Sequence, residues 1–218
     1  MLKRERTKSN IIDAYIALLN TTDFDRVSVK SVCEQADVVR STFYSYFDDM
    51  ADVTQTVEDE LINSFKEVVA FDLANLQSPV TEQYPGDGAQ TDWGFHISPP
   101  IGFFEWLDRC EENGARLAAM LGPHGDEYFL VKFRKVLRNH VNALMDTDGM
   151  PHDELRNGFT NSFVEVHLLL TKAWLVNKEP WATRDAIVTV LNSMRIGGNT
   201  AGRFESDPNQ FEQQYSLQ

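Results

Sequence analysis

The chain has 218 residues, 42% hydrophobic and 24% charged, with a net charge of −13. That length can bury a proper core in one large or two small domains, and the composition is that of an ordinary soluble globular protein. No run approaches the roughly 20 apolar residues of a membrane span, and Asp13 breaks the apolar stretch behind Lys3, Arg4, Arg6 and Lys8, which excludes a signal peptide. A cytoplasmic setting is expected. The two cysteines, Cys33 and Cys110, lie in helical patterns and fit a reduced compartment, with a redox pair as the alternative.

The first helix is predicted from Arg6 to Asn20, with Ile11, Ile12, Tyr15, Leu18 and Leu19 on its inner stripe. Thr21 to Val27 is a polar connection in which Phe24 plugs the core. Ser28 caps a second helix, whose apolar Val29, Val32, Cys33 and Ala36 recur at helical spacing. Asp37 can make the following turn, because aspartate enters the left-handed region at modest cost. The next helix, Val39 to Phe47, has few aliphatic residues: Phe43 and Phe47 anchor it, leaving Arg40, Ser41, Thr42, Tyr44, Ser45 and Tyr46. A short helix pinned by two aromatics, with hydroxyls and a guanidinium elsewhere, suits the DNA major groove.

Asp48 or Asp49 then caps a long helix, Met50 to about Leu76, striped by Val53, Val57, Leu61, Phe65, Val68 and Val69. Residues 77–100 hold four of the eight prolines and read as a long loop on which Trp93 and Phe95 dock. Helical patterning resumes from Ile101 to Met120, softened by Gly114 and stopped by Gly122-Pro123. It returns from Asp126 to Met145 and from Asp153 to Asn177. The last helix, Thr183 to Met194, ends at Gly197-Gly198, and the tail from Asn199 is polar and loose. The helix from Asp153 is apolar nearly all round and must be covered on both sides. A symmetric dimer is expected to cover it, through Val164, Leu168, Leu175, Ile187, Val190, Leu191 and Met194.

The run ADVVRSTFYSYFDD, preceded by VSVKSVCEQ and the amphipathic helix Ile11 to Leu19, resembles the N-terminal helix-turn-helix of the TetR (tetracycline-repressor) family. The matching features are an alanine closing the first helix, the turn, and a Ser-Thr-aromatic-Tyr-x-Tyr-Phe recognition helix. They cover roughly the first 50 residues; the remainder resembles the family in helical layout and length. The resemblance implies an all-α fold. Residues 1–49 would be a three-helix DNA-binding domain, 50–198 a helical regulatory and dimerisation domain with its loop at 77–100, and 199–218 the polar tail. It also implies a dimeric transcriptional regulator, a ligand-responsive repressor on a palindromic operator.

By that resemblance Thr42 and Tyr44 occupy DNA-contact positions; a hydroxyl reaches a phosphate or a base edge. Ser41 lies beside them on the same helix. Arg40 reads either a guanine or a phosphate, and the sequence does not choose. Ser28 and Lys30 lie at a helix start, where amides and a cation hold phosphate. For Tyr46 a phosphate contact and simple packing stand equal. Residues 1–47 carry a net charge of +1 and the remainder −14, so the acidity lies away from the DNA end but the basic footprint is thin. Asp37 replaces the family's usual turn glycine, Val39 a capping Ser or Thr, and Met50 a phosphate-binding lysine. These departures support the alternative, an auxiliary TetR-like regulator that acts through a protein partner.

His96, His124, His140, His152 and His167 are scattered, with no HExxH, Cys-x-x-Cys, glycine-rich phosphate loop or nucleophile elbow. No enzyme activity, cofactor or metal is expected. Phe65, Phe103, Phe104, Trp106, Phe129, Phe133, Phe163 and His167, with Trp174, are more aromatic than a small helical core requires. Core packing is the first reading at each. If they line a pocket, the resemblance places it between the long helix and the next three, for a flat or greasy small molecule.

Overall fold

The computed structural model describes residues 3–75 and 96–206, and among them the backbone forms nine α-helices and no strand. The first three make the head: α1 (Lys3–Leu18), α2 (Val29–Ala36) and α3 (Arg40–Phe43). Ile11, Ile12, Tyr15 and Ile16 of α1, with Leu19 just beyond it, are buried with Val32 and Cys33 of α2 and with Phe43 and Phe47. These are the residues whose helical spacing puts them on inner faces.

The 26-residue helix α4 (Met50–Asn75) leaves the head and enters the body, a run of roughly 39 Å at 1.5 Å per residue. Asp49 Oδ1 accepts from the Asp52 N–H at 2.9 Å, and Asp52 Oδ2 accepts from the Asp48 N–H at 3.0 Å. Carboxylates at this end satisfy free amides and favour the helix dipole. The body comprises α5 (Ile101–Glu112), α6 (Gly114–Leu121), α7 (Glu127–Thr147), α8 (Glu154–Leu175) and α9 (Arg184–Ser206). Asp126 caps α7 by accepting from the Tyr128 N–H, and Asp153 caps α8 by accepting from the Arg156 N–H, both at 2.8 Å. Helix α4 packs on α5 and α7; α8 is covered by α6, α7 and α9.

Head and body meet along α4, where Lys8 of α1 lies 4.0 Å from Glu60, along α6, on which α1 packs, and at the connection before α2. At the base of α4, Thr54 Oγ1 donates to the Tyr15 hydroxyl at 3.0 Å, and Lys132 of α7 pairs with the buried Glu58. Away from α4, the Phe24 N–H donates to the His124 carbonyl at 2.9 Å, and His124 Nδ1 lies 2.7 Å from Asp23 Oδ1. The 3-10 turn Phe24–Arg26 carries that contact, and Phe24 itself is packed half-buried against the core.

Several expectations need correction. The recognition helix is a single α-turn rather than Val39 to Phe47; Ser45 and Tyr46 continue it with tighter bonds to Thr42 and Phe43 carbonyls. The segment expected as one helix from Ile101 is broken at Asn113 into α5 and α6. Helix α9 runs through Gly197 and Gly198 to Ser206, so the chain from Asn199 is neither outside the helix nor loose at its start. Asn199 is buried and donates to Asp148 Oδ2 at 3.2 Å. Of the expected loop, residues 76–95, with Trp93 and Phe95, lie outside the described residues, as do 207–218.

Val164, Leu168, Ile187 and Leu191 are buried within one protomer, Leu175 and Met194 are half-buried, and Val190 alone of the seven reaches the surface, 37% exposed. Helices α6, α7 and α9 of the same chain pack on α8, while its Leu169 stays 65% exposed.

Candidate nucleic-acid interface

Helix α2 starts in a reciprocal cap. Ser28 Oγ accepts from the Ser31 N–H at 3.2 Å, and Ser31 Oγ accepts from the Ser28 N–H at 3.0 Å. The Ser28 hydroxyl is therefore engaged in the cap, though its residue is exposed. Asp37 ends the helix at φ 52° and ψ 49°, the left-handed turn expected of it, and lets the Val38 N–H reach back to the Cys33 carbonyl at 3.0 Å. Val39 enters α3 in extended backbone with no side-chain cap. Burial pushes the Cys33 thiol above its ordinary range, so it contributes no charge here.

What fixes α3 is aromatic burial. Phe43 is fully buried and Phe47 nearly so, their ring centroids 5.8 Å apart. With that side held, Arg40, Ser41 and Tyr44 are exposed, Tyr44 at 55%, and Thr42 and Tyr46 are half-buried. The Tyr44 ring stands edge-on to Phe43 at 5.4 Å, so packing aims it while its hydroxyl end stays wet. Ser45 Oγ donates to the Thr42 carbonyl at 2.6 Å, which tightens the end of the turn.

The charge around this face is partly spent. Lys30 lies 3.8 Å from Glu34, and Arg40 borders a groove with Glu34 and Asp37 on its walls. Two cations from α1 approach the far end: Arg4 stands over the Tyr46 ring at 5.9 Å, and Lys8 over Phe47 at 5.7 Å. The sequence shows these only as basic residues ahead of an apolar run. Their signal was the spacing of Arg4 and Lys8, which puts both on one face of α1.

In the body, seven of the eight aromatic and histidine candidates gather in the core. Phe65, Phe103, Trp106, Phe129, Phe133, Phe163 and His167 are all at most 2% exposed. Phe65 lies 4.6 Å from Trp106 and 5.1 Å from Phe133, ring to ring. Phe104 points elsewhere, half-buried beneath Arg184 of α9. The packing between Phe103, Phe159 and Phe163 leaves a cavity of about 10 Å³, room for about one water. The structure adds two polar residues to this core, Asp72 and His140. Both sit on the inner stripes of their helices (Asp72 after Leu61, Phe65 and Val68; His140 between Leu137 and Val141), which was the available signal. No described group of His, Cys, Asp and Glu is arranged to hold a metal ion, and no described helix is long and apolar enough to cross a membrane.

Residues 11–56 match the model of the family described as bacterial regulatory proteins, tetR family. The whole chain is similar to a solved structure, a TetR transcriptional regulator from Streptococcus agalactiae 2603V, at 24% identity and a TM-score of 0.54. That alignment covers 88% of this chain and 94% of the other, a likeness of fold. No curated protein matches the sequence. The matched segment holds the capped α2, the Asp37 turn and the anchored α3, and α4 begins inside it. The likeness to the tetR family of bacterial regulatory proteins thus lies in this N-terminal segment, residues 11–56.

Proposed function

We propose that the chain is a dimeric, ligand-responsive transcriptional regulator that binds a near-palindromic operator, with residues 1–49 reading DNA and 50–198 regulating and dimerising. The observation that carries this reading is α3: two buried phenylalanines hold it while Arg40, Ser41 and Tyr44 face solvent beside Thr42. Two such heads, about 34–36 Å apart, would enter successive major grooves of one duplex face. Ser41, Thr42 and Tyr44 would supply hydroxyls to phosphates or base edges, Arg40 a guanidinium, and Lys30 and Tyr46 the flanking backbone contacts. A small molecule in the aromatic body would change the spacing of the heads and lower DNA affinity, which makes the chain a repressor by family expectation.

The test is selection of binding sites from random duplex DNA at low salt. An inverted repeat should be enriched, and Thr42→Ala with Tyr44→Phe should abolish the enrichment. Enrichment of nothing rejects the reading. A second reading, an auxiliary regulator working through a protein partner, is favoured by the +1 charge of residues 1–47 and by Lys30 being paired with Glu34. It predicts a defined partner captured from lysate together with an empty selection.

A further inference from the structure

Four polar side chains from four helices meet inside the body: Asp72 of α4, Trp106 of α5, His140 of α7 and His167 of α8. Asp72 is 4% exposed, His167 1%, and His140 and Trp106 not at all. His140 Nδ1 donates to Asp72 Oδ2 at 2.7 Å. The Trp106 indole stacks on the His140 ring at 4.5 Å and stands 5.8 Å from the His167 ring; the two imidazole centroids are 6.2 Å apart. Gly102 seals the far side of Asp72, since a Cβ there would lie 2.3 Å from Asp72 Oδ1.

With Nδ1 committed to Asp72, His140 has Nε2 left, and that atom has no hydrogen-bond partner. Neither nitrogen of His167 has one. Burial, and secondarily the neighbouring His140, push the His167 pKa down to about 3, so its ring is neutral, with one N–H and one lone pair. A leucine or phenylalanine would fill this space without leaving polar atoms unpaired. Packing alone therefore does not account for the pair of histidines.

We propose that the Asp72–His140–His167 cluster is the polar end of a site for a small neutral molecule carrying a hydroxyl on a flat apolar body, a phenol in the simplest case. This rests on the ligand-responsive reading above and names the ligand's chemical class. A hydroxyl gives one hydrogen bond and accepts another, which suits a site offering the unpartnered His140 Nε2 and a neutral His167 ring with one N–H and one lone pair. A carboxylate guest would add a second negative charge beside Asp72. An ammonium guest would lack a counter-ion, because the Asp72 carboxylate is turned to His140 and closed off by Gly102. The flat body would lie among Trp106, Phe103 and Phe163. The last two rings border the cavity of about 10 Å³, so they must swing aside to admit it.

The experiment is calorimetric titration of the full chain with four matched probes: phenol, toluene, benzoate and benzylammonium. Imidazole nitrogen resonances are followed in parallel by NMR. Phenol should bind at least about tenfold more tightly than the other three, the difference one hydrogen bond to a buried partner makes. It should shift His140 and His167 resonances, and His167→Leu should reduce phenol to the level of toluene in a protein that still melts cooperatively. Equal binding of phenol and toluene, preference for either ion, phenol binding undiminished by His167→Leu, or no binding of any probe at millimolar concentration would each overturn the proposal. None of these readouts involves DNA, so failure here leaves the operator reading standing, and an empty DNA selection leaves this one standing.

Discussion

Replacing His167 by leucine should make the protein more stable, and most clearly so in mild acid. Leucine has a similar volume, so the site neither collapses nor overpacks, while two buried, unpaired nitrogens disappear. Relieving unmet polar burial is worth about 1–3 kcal/mol, and each kcal/mol moves the melting temperature by roughly 2–4 °C in a chain of this size. The pH dependence is the sharper signature. The folded ring takes up a proton only near pH 3, against an ordinary value of 6.5, so below the latter the unfolded chain binds the extra proton. The wild type's stability from this group is complete above pH 6.5 and is lost progressively as pH falls towards 3. Between pH 7 and pH 5 that loss amounts to about 2 kcal/mol, since one proton bound only by the unfolded chain costs about 1.4 kcal/mol for each pH unit below 6.5. Urea unfolding followed by far-UV circular dichroism at several pH values would measure it. The wild type should lose about 2 kcal/mol more than His167→Leu over that interval. Parallel curves for the two proteins, or a leucine variant less stable at neutral pH, would refute the reasoning.

Other sites give independent checks. Gly102→Ala places a methyl 2.3 Å from Asp72 Oδ1 and 2.9 Å from Leu144 Cδ2. It should cost about 1–3 kcal/mol in thermal melts and break the Asp72–His140 hydrogen bond, visible in the His140 imidazole resonances. Phe43→Ala should destabilise the head by about 3–5 kcal/mol and remove any sequence-selective DNA binding with it. At Asp37, whose φ is 52°, valine should cost about 1–2 kcal/mol, whereas glycine should be neutral within about 0.5 kcal/mol; both are read from urea midpoints. The His124 hydrogen bond holds the Asp23 carboxyl below its ordinary value. An NMR titration should therefore find that carboxyl moving up towards 3.8 in His124→Ala.

The head was readable because its signals are local. Ser28 caps, Asp37 turns, and Phe43 and Phe47 are one helical repeat apart, so nothing distant is needed to place α2 and α3. Even the missing cap at Val39 was visible. Elsewhere hydropathy said that a face is covered but not by what. The stripe Val164, Leu168 and Leu175 needed a cover, and helices of the same chain supply it. The pair Gly197-Gly198 read as a stop, yet Gly198 serves as a close approach: a Cβ on it would lie 2.2 Å from the Phe159 ring. Glycine there trades helix propensity for contact, and a contact partner 39 positions away has no local signature. The same holds for the buried polar pairs. Asp72 meets His140 across 68 positions and Arg195 meets Asp148 across 47, so only the odd placement of Asp72, His140 and Arg195 on apolar stripes is legible in the sequence.

The link between the Asp23–Phe24 connection and His124 adds a further pin to a head already seated on α4 and α6. Held by one helix alone, a head could rock about a single axis without disturbing the body. Because the loop joining α6 to α7 also grips it, through the His124 carbonyl and ring, displacement of either body helix must carry α1 and the reading turn along with it.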